Sequence, residues 1–157
     1  MRRQALEHLT CLACGGPLSV ARVDSEDSEH IEEGVLVSEG CGRRYVVTRG
    51  VPRLTPDDVE AETRTTVGRF GEQWAEFRTM DALYEQQFLG WIRPNGPDAF
   101  EGKVVLEAGC GKGRHSILAA RWGAREVIAT DLGSAVDTAY ANTRHLPNVH
   151  VVQADVR

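Results

Sequence analysis

The chain has 157 residues, 41% of them hydrophobic, and a formal net charge of −5, enough for one ordinary domain, or one small and one incomplete domain, around a buried core. No stretch approaches the ~18–20 apolar residues of a membrane span, and no charged start leads into an apolar run, so no membrane association is expected and the cytoplasm is the expected compartment. The acid is unevenly spread: residues 57–100 carry nine acidic and four basic groups, against eight and seven in residues 1–56 and six and seven in residues 101–157. A mildly acidic chain without a basic stripe is a poor match to a protein that grips nucleic-acid phosphates.

From residue 11 to about residue 55, the short β-like runs PLSVARV, EGVLV and RRYVV are separated by Gly15-Gly16, an acidic DSEDSEHIEE stretch, Gly40, Gly42 and Gly50. This reads as a small, glycine-punctuated β module. Between Asp57 and Arg93 the pattern is helical: Val67, Phe70, Trp74 and Phe77 form one stripe and Leu83, Phe88, Leu89 and Ile92 a second, before Pro94-Asn95-Gly96-Pro97 breaks the chain. From Lys103 onward the chain alternates: strand 103–108, helix about 113–122, strand 126–130, helix about 134–145 and strand 149–154. That alternation predicts a parallel sheet with right-handed crossovers. The expected units are a β module over 1–56, a helical connector over 57–100 and an α/β unit over 101–157.

The chemistry concentrates where VVLEAGCGKGR, residues 104–114, joins the first of these strands to its helix. Gly109, Gly111 and Gly113 let the backbone turn sharply and let a ligand approach the helix N-terminus. The dinucleotide fingerprint G-x-G-x-x-G would need its third glycine where Arg114 stands. Glu107, just before the loop, would repel a pyrophosphate but suits a cationic ligand such as a sulfonium, and this favours S-adenosylmethionine. The next strand ends in Asp131, 22 residues beyond Gly109, where a carboxylate can accept hydrogen bonds from both ribose hydroxyls. The third ends in Asp155, so three terminal acids are expected at one crevice. Cys110 reads as a small packing residue, and His115 as a solvated or capping residue outside the active site.

These residues resemble the class I S-adenosylmethionine-dependent methyltransferases: VVLEAGCGKGRHS matches the first motif, EVIATD the second and NVHVVQAD the third, with DLGSAV opening the helix between. The resemblance implies that Glu107, Ala108, Gly109, Cys110, Gly111 and Gly113 hold the methionine part of the cofactor. It likewise assigns Asp131 to the ribose and Asp155 to the adenine amino group, with Ala154 or Val156 beside the ring, and counts Leu132 among the cofactor-binding residues. Upstream, RFGEQWAEF resembles the helical lead-in of one branch of these enzymes.

The N-terminal module resembles a zinc ribbon of the kind fused to or partnered with methyltransferases, CLACGGPL giving the first knuckle and GVLVSEGCGRRYVVTRGVPRL the second. Cys11, Cys14 and Cys41 would be metal ligands, with Ser38 where the fourth cysteine belongs. His8, His30 or a water could complete a zinc site, or the ribbon could fold without metal around Val35, Tyr45 and Val51.

The expected fold is therefore an incomplete Rossmann-like methyltransferase sheet of three parallel strands with helices, preceded by a β-rich ribbon and a helical connector. The expected function is the cofactor-binding N-terminal portion of a methyltransferase acting on an unidentified acceptor and inactive by itself. A non-enzymatic binding module, or a truncated product, is the second reading. An NAD-dependent oxidoreductase, disfavoured by Arg114, is the third. In the family's strand order the first strand lies centrally, so the edge at 104–108 expects a partner and invites self-association.

Overall fold

The structure is a computed structural model that describes residues 1–55 and 83–155. The stripe Val67, Phe70, Trp74 and Phe77, the RFGEQWAEF segment and Val156 lie outside the described residues.

β-branched and aromatic residues alternating with polar ones build an antiparallel meander of β1 (Leu18–Glu26), β2 (Ile31–Ser38), β3 (Arg44–Thr48) and β4 (Val51–Leu54). Tyr45 and Val47 on β3 point inward, while Val46 between them is half exposed, the period of two that a half-covered strand requires. Arg49 and Gly50 close the β3–β4 hairpin with φ of 52° and 74°, the left-handed pair of a two-residue turn whose twist matches its strands.

The second half contains α1 (Leu83–Trp91), β5 (Val104–Ala108), α2 (Arg114–Arg121), β6 (Glu126–Asp131), α3 (Ala135–Thr143) and β7 (Val149–Ala154). β5 pairs parallel with β6, and β6 parallel with β7, as the alternation of strand and helix predicts. β4 then pairs parallel with β7, Arg53 opposite Gln153 and Leu54 opposite Ala154, so one seven-stranded sheet runs β1-β2-β3-β4-β7-β6-β5. The architecture is mixed α/β, antiparallel in its first half and parallel in its second. The junction is invisible in sequence because VPRL is short and carries a proline, a signal against a central strand.

The sheet has two cores. On one face Val127, Ala129, Val149 and Val151 pack with Ala119 of α2 and Val136, Ala139 and Tyr140 of α3, and Val51 of β4 joins them. On the other, Val152 of β7 and Leu54 of β4 pack with Leu36, Tyr45 and the N-terminal segment Met1, Ala5 and Leu9, which includes a short 3-10 helix at Arg3–His8. β5 ends the sheet, with Val104 and Leu106 45% and 66% exposed. Among the described residues, no helix is long and apolar enough to cross a membrane.

Candidate functional site

Parallel strands leave their carboxyl ends at one edge, and the crossover loops there define the crevice of an open α/β sheet. Glu107 lies near the end of β5 with Ala108 completing the strand, Asp131 closes β6 with Leu132 next to it, and Asp155 follows β7 directly. β5, β6 and β7 are consecutive in the sheet. The structure therefore brings the acids expected at one crevice to the ends of adjacent strands.

The loop between β5 and α2 is held by its neighbour strand. The amides of Gly109 and Cys110 both donate to the Thr130 carbonyl at 2.8 Å. Asp131 grips the loop from the side, Oδ2 accepting from the Gly111 amide at 3.0 Å and Oδ1 from the Gly133 amide at 2.9 Å. A carboxylate has about four acceptor positions, so these bonds leave Asp131 capacity for further donors. Gln153 of β7 donates to the Leu132 carbonyl at 2.7 Å and ties the second loop to the third strand. The glycines are needed for different reasons. Gly109 turns with φ of 75° in open space, whereas at Gly113, with φ of 80°, a Cβ would meet Thr143 Cγ2 at 3.2 Å and Ala139 Cβ at 3.4 Å, because α3 packs against the start of α2.

Glu107 points into a polar cradle on α2. Ser116 Oγ donates to Glu107 Oε2 in a short hydrogen bond, and His115 Nδ1 lies 3.1 Å from Oε1. His115 stacks on Phe88 of α1 at 4.4 Å between ring centroids, and its Nε2 is buried without a hydrogen-bond partner among the described residues. The expectation of a solvated or capping histidine thus gives way to a mostly buried one: a carboxylate eight residues earlier and an aromatic ring on α1 enclose it. Phe88, Phe100, Leu106, Glu107, His115 and Ser116 line part of a cavity of about 270 Å3 beside β5.

Lys112 also escaped the sequence reading. It is 2% exposed, donates to Tyr84 Oη at 3.0 Å and sits 4.7 Å from that ring's centroid. Its only signal in sequence was a cation inside the glycine run. Cys110 is buried, and burial followed by the nearby Glu107 and Asp131 charges pushes its thiol far up, which suits a packing residue and not a nucleophile.

In the N-terminal module, the sulfurs of Cys11, Cys14 and Cys41 lie within 4.8 Å of one another. Cys11 Sγ is 3.6 Å from Cys41 Sγ, and Cys14 Sγ is 3.3 Å from Ser38 Oγ, so the serine occupies the fourth corner. The Tyr45 hydroxyl 3.2 Å from Cys11 Sγ, helped by the Ala13 amide and Ser38, holds that thiol down to about 6 against the opposing effect of burial. His8 and His30 stand in other clusters, the first beside Glu126 and His150 and the second beside Asp27 and Glu32. Neither completes the cysteine corner.

The chain is similar to known proteins in each of its halves, and it spans only a small part of the relatives it matches. Residues 3–50 match the family described as Trm112p-like protein. The chain is 45% identical over 42 residues to protein arginine N-methyltransferase 1 of Saccharomyces cerevisiae, a stretch covering 27% of this chain and 12% of that protein. Among solved structures it is similar to the Trypanosoma brucei PRMT1 enzyme-prozyme complex with AdoHcy, at 31% identity over 36% of this chain and 21% of that one, TM-score 0.34. It is likewise similar to Arabidopsis thaliana protein arginine methyltransferase 10, at 27% identity over 51% and 26% of the two chains, TM-score 0.36.

Proposed function

We propose that the chain carries the cofactor-binding portion of an S-adenosylmethionine-dependent methyltransferase over residues 101–157, a ribbon over 1–56 and a connector over 57–100. The observation that carries the reading is the convergence of Glu107, Asp131 and Asp155 at the carboxyl ends of adjacent parallel strands, around a loop whose glycines adopt positive φ. The short, 45% identical match to an arginine methyltransferase supports the same class. When bound, the cofactor supplies a sulfonium methyl group to a nucleophilic atom of the acceptor. Asp131 would accept from the ribose, Asp155 from the adenine amino group, and Glu107 with Ala108, Gly109, Cys110, Gly111 and Gly113 would surround the methionine part, Leu132 flanking the ribose. Their contribution is orientation, since displacement at a methyl group needs alignment and no protein nucleophile.

Cys11, Cys14 and Cys41, with Ser38 Oγ at the fourth corner, are proposed as a zinc site, weaker than one of four thiolates because a neutral hydroxyl is a poor ligand. The test of the cofactor reading is Asp131→Ala. Each hydrogen bond to a charged acceptor is worth ~1.5–3 kcal/mol, so loss of even one should weaken S-adenosylhomocysteine binding at least ~10-fold. Unchanged affinity would overturn the assignment. A partner-binding role is the second reading, favoured by the exposed Val104 and Leu106 on terminal strand β5.

A further inference from the structure

The sheet brings together three metal-ligating side chains that neither the cysteine corner nor the crevice uses. His150 of β7 pairs with Ile128 of β6, and Glu126 lies two residues before Ile128, so Glu126 and His150 share one face of the sheet. Val152 of that face packs with Ala5 and Leu9. The same packing carries His8, in the last turn of the 3-10 helix Arg3–His8, over the two strands. One nitrogen from each histidine and one Glu126 oxygen lie within 4.8 Å of one another, and the histidine rings are 6.0 Å apart between centroids.

We infer that His8, Glu126 and His150 form a binding site for a divalent transition cation of the zinc or cobalt type, which pins the N-terminal 3-10 helix to the parallel strands. Two imidazoles and a carboxylate are a nitrogen–oxygen donor set suited to these ions, and three protein ligands leave a fourth position for water. His150 is only 4% exposed, and its Nε2 lies 2.7 Å from Glu126 Oε2. Its other nitrogen, Nδ1, is buried with no hydrogen-bond partner among the described residues. Ligation then falls to Nε2, whose lone pair and the Glu126 oxygen converge on one point once the proton between them is lost. A tetrahedral cation with bonds of ~2.0–2.2 Å would take the place of the proton between Nε2 and Oε2, opening that contact slightly, and His8 would adjust to meet it. His8 is half-buried at the end of a short helix, so this adjustment falls on the element with the fewest constraints. The site is separate from the cysteines, whose sulfurs form their own cluster.

Cobalt distinguishes the two. The chelator-stripped chain is titrated with Co2+ and followed by absorbance: thiolate ligands give near-ultraviolet charge transfer, whereas nitrogen and oxygen ligands give only visible d–d bands. A thiolate-free class of bound cobalt is expected, retained in Cys14→Ser and weakened at least ~10-fold in His8→Gln, as loss of a ligand or its support does elsewhere. Circular dichroism checks that the variants are folded. The unmodified chain provides a second readout, the imidazole 15N resonances of His8 and His150 on adding Zn2+. Both rings shifting together supports the site. Cobalt bound only through thiolates, equal affinity in folded His8→Gln, or unmoved His8 and His150 resonances would overturn it.

Discussion

Gly50→Ala tests whether the β module is docked on the α/β unit as the sheet order requires. Gly50 closes the β3–β4 hairpin at φ of 74°, and a Cβ there would lie 2.2 Å from Tyr140 Cζ and 2.4 Å from both Cε1 and the hydroxyl oxygen. The left-handed backbone costs an L-residue ~1–2 kcal/mol, and forcing the ring aside costs ~1–3 kcal/mol more. Reduced freedom of the unfolded chain returns ~0.4–1 kcal/mol. The displaced ring also strains the hydrogen bond that the Tyr140 hydroxyl donates to Glu32 Oε1 at 3.0 Å, a further link between β2 and α3. The net expectation is a loss of about 1–4.5 kcal/mol in urea unfolding, from summing these ranges. A double-mutant cycle with Tyr140→Ala separates clash from backbone strain: the clash vanishes when the ring is gone, so the two losses should be strongly non-additive. A loss below ~0.5 kcal/mol, typical of surface changes, or additivity across the cycle, would refute the docked arrangement.

At the cysteine corner, Ser38→Cys should raise zinc content and thermal stability, because it places a thiolate where Ser38 Oγ now stands 3.3 Å from Cys14 Sγ. Full, chelator-resistant zinc in the unmodified chain would show that the serine is no handicap. At the sheet's end, the exposed Leu106 and the terminal position of β5 predict concentration-dependent association by light scattering. Leu106→Lys should suppress it, while a stable monomer with slowly exchanging amides throughout 104–108 would contradict the open edge.

Much of the α/β half was legible because each element carried a local signal. The strands expected at 103–108, 126–130 and 149–154 appear as Val104–Ala108, Glu126–Asp131 and Val149–Ala154, and the helices as Arg114–Arg121 and Ala135–Thr143. Apolar β-branched runs ending in Glu or Asp mark a strand's end whatever surrounds it, and after Glu107 and Asp131 a glycine follows two residues on. The parallel pairing of β4 with β7 was not legible, since Arg53 and Gln153 are far apart in sequence and no local pattern encodes the pairing. The cradle around Glu107 was missed for a related reason. Ser116 and His115 reach it only because α2 folds back over β5, and Phe88 encloses His115 only because α1 packs there. That Ser38 stands where the ribbon's fourth cysteine would be was legible in the sequence, but that it and neither His8 nor His30 lies beside the cysteines required the fold.

Whether the crevice formed by Glu107, Asp131 and Asp155 takes S-adenosylmethionine is read from calorimetric titration of the chain with S-adenosylhomocysteine and, separately, with NAD. Arg114 stands where a dinucleotide fingerprint needs glycine, and Glu107 lies beside the loop where a pyrophosphate would sit. Saturable binding of S-adenosylhomocysteine at one equivalent, with NAD at least ~10-fold weaker, is the predicted result. Tighter binding of NAD, or no binding of S-adenosylhomocysteine to the folded chain, would contradict it.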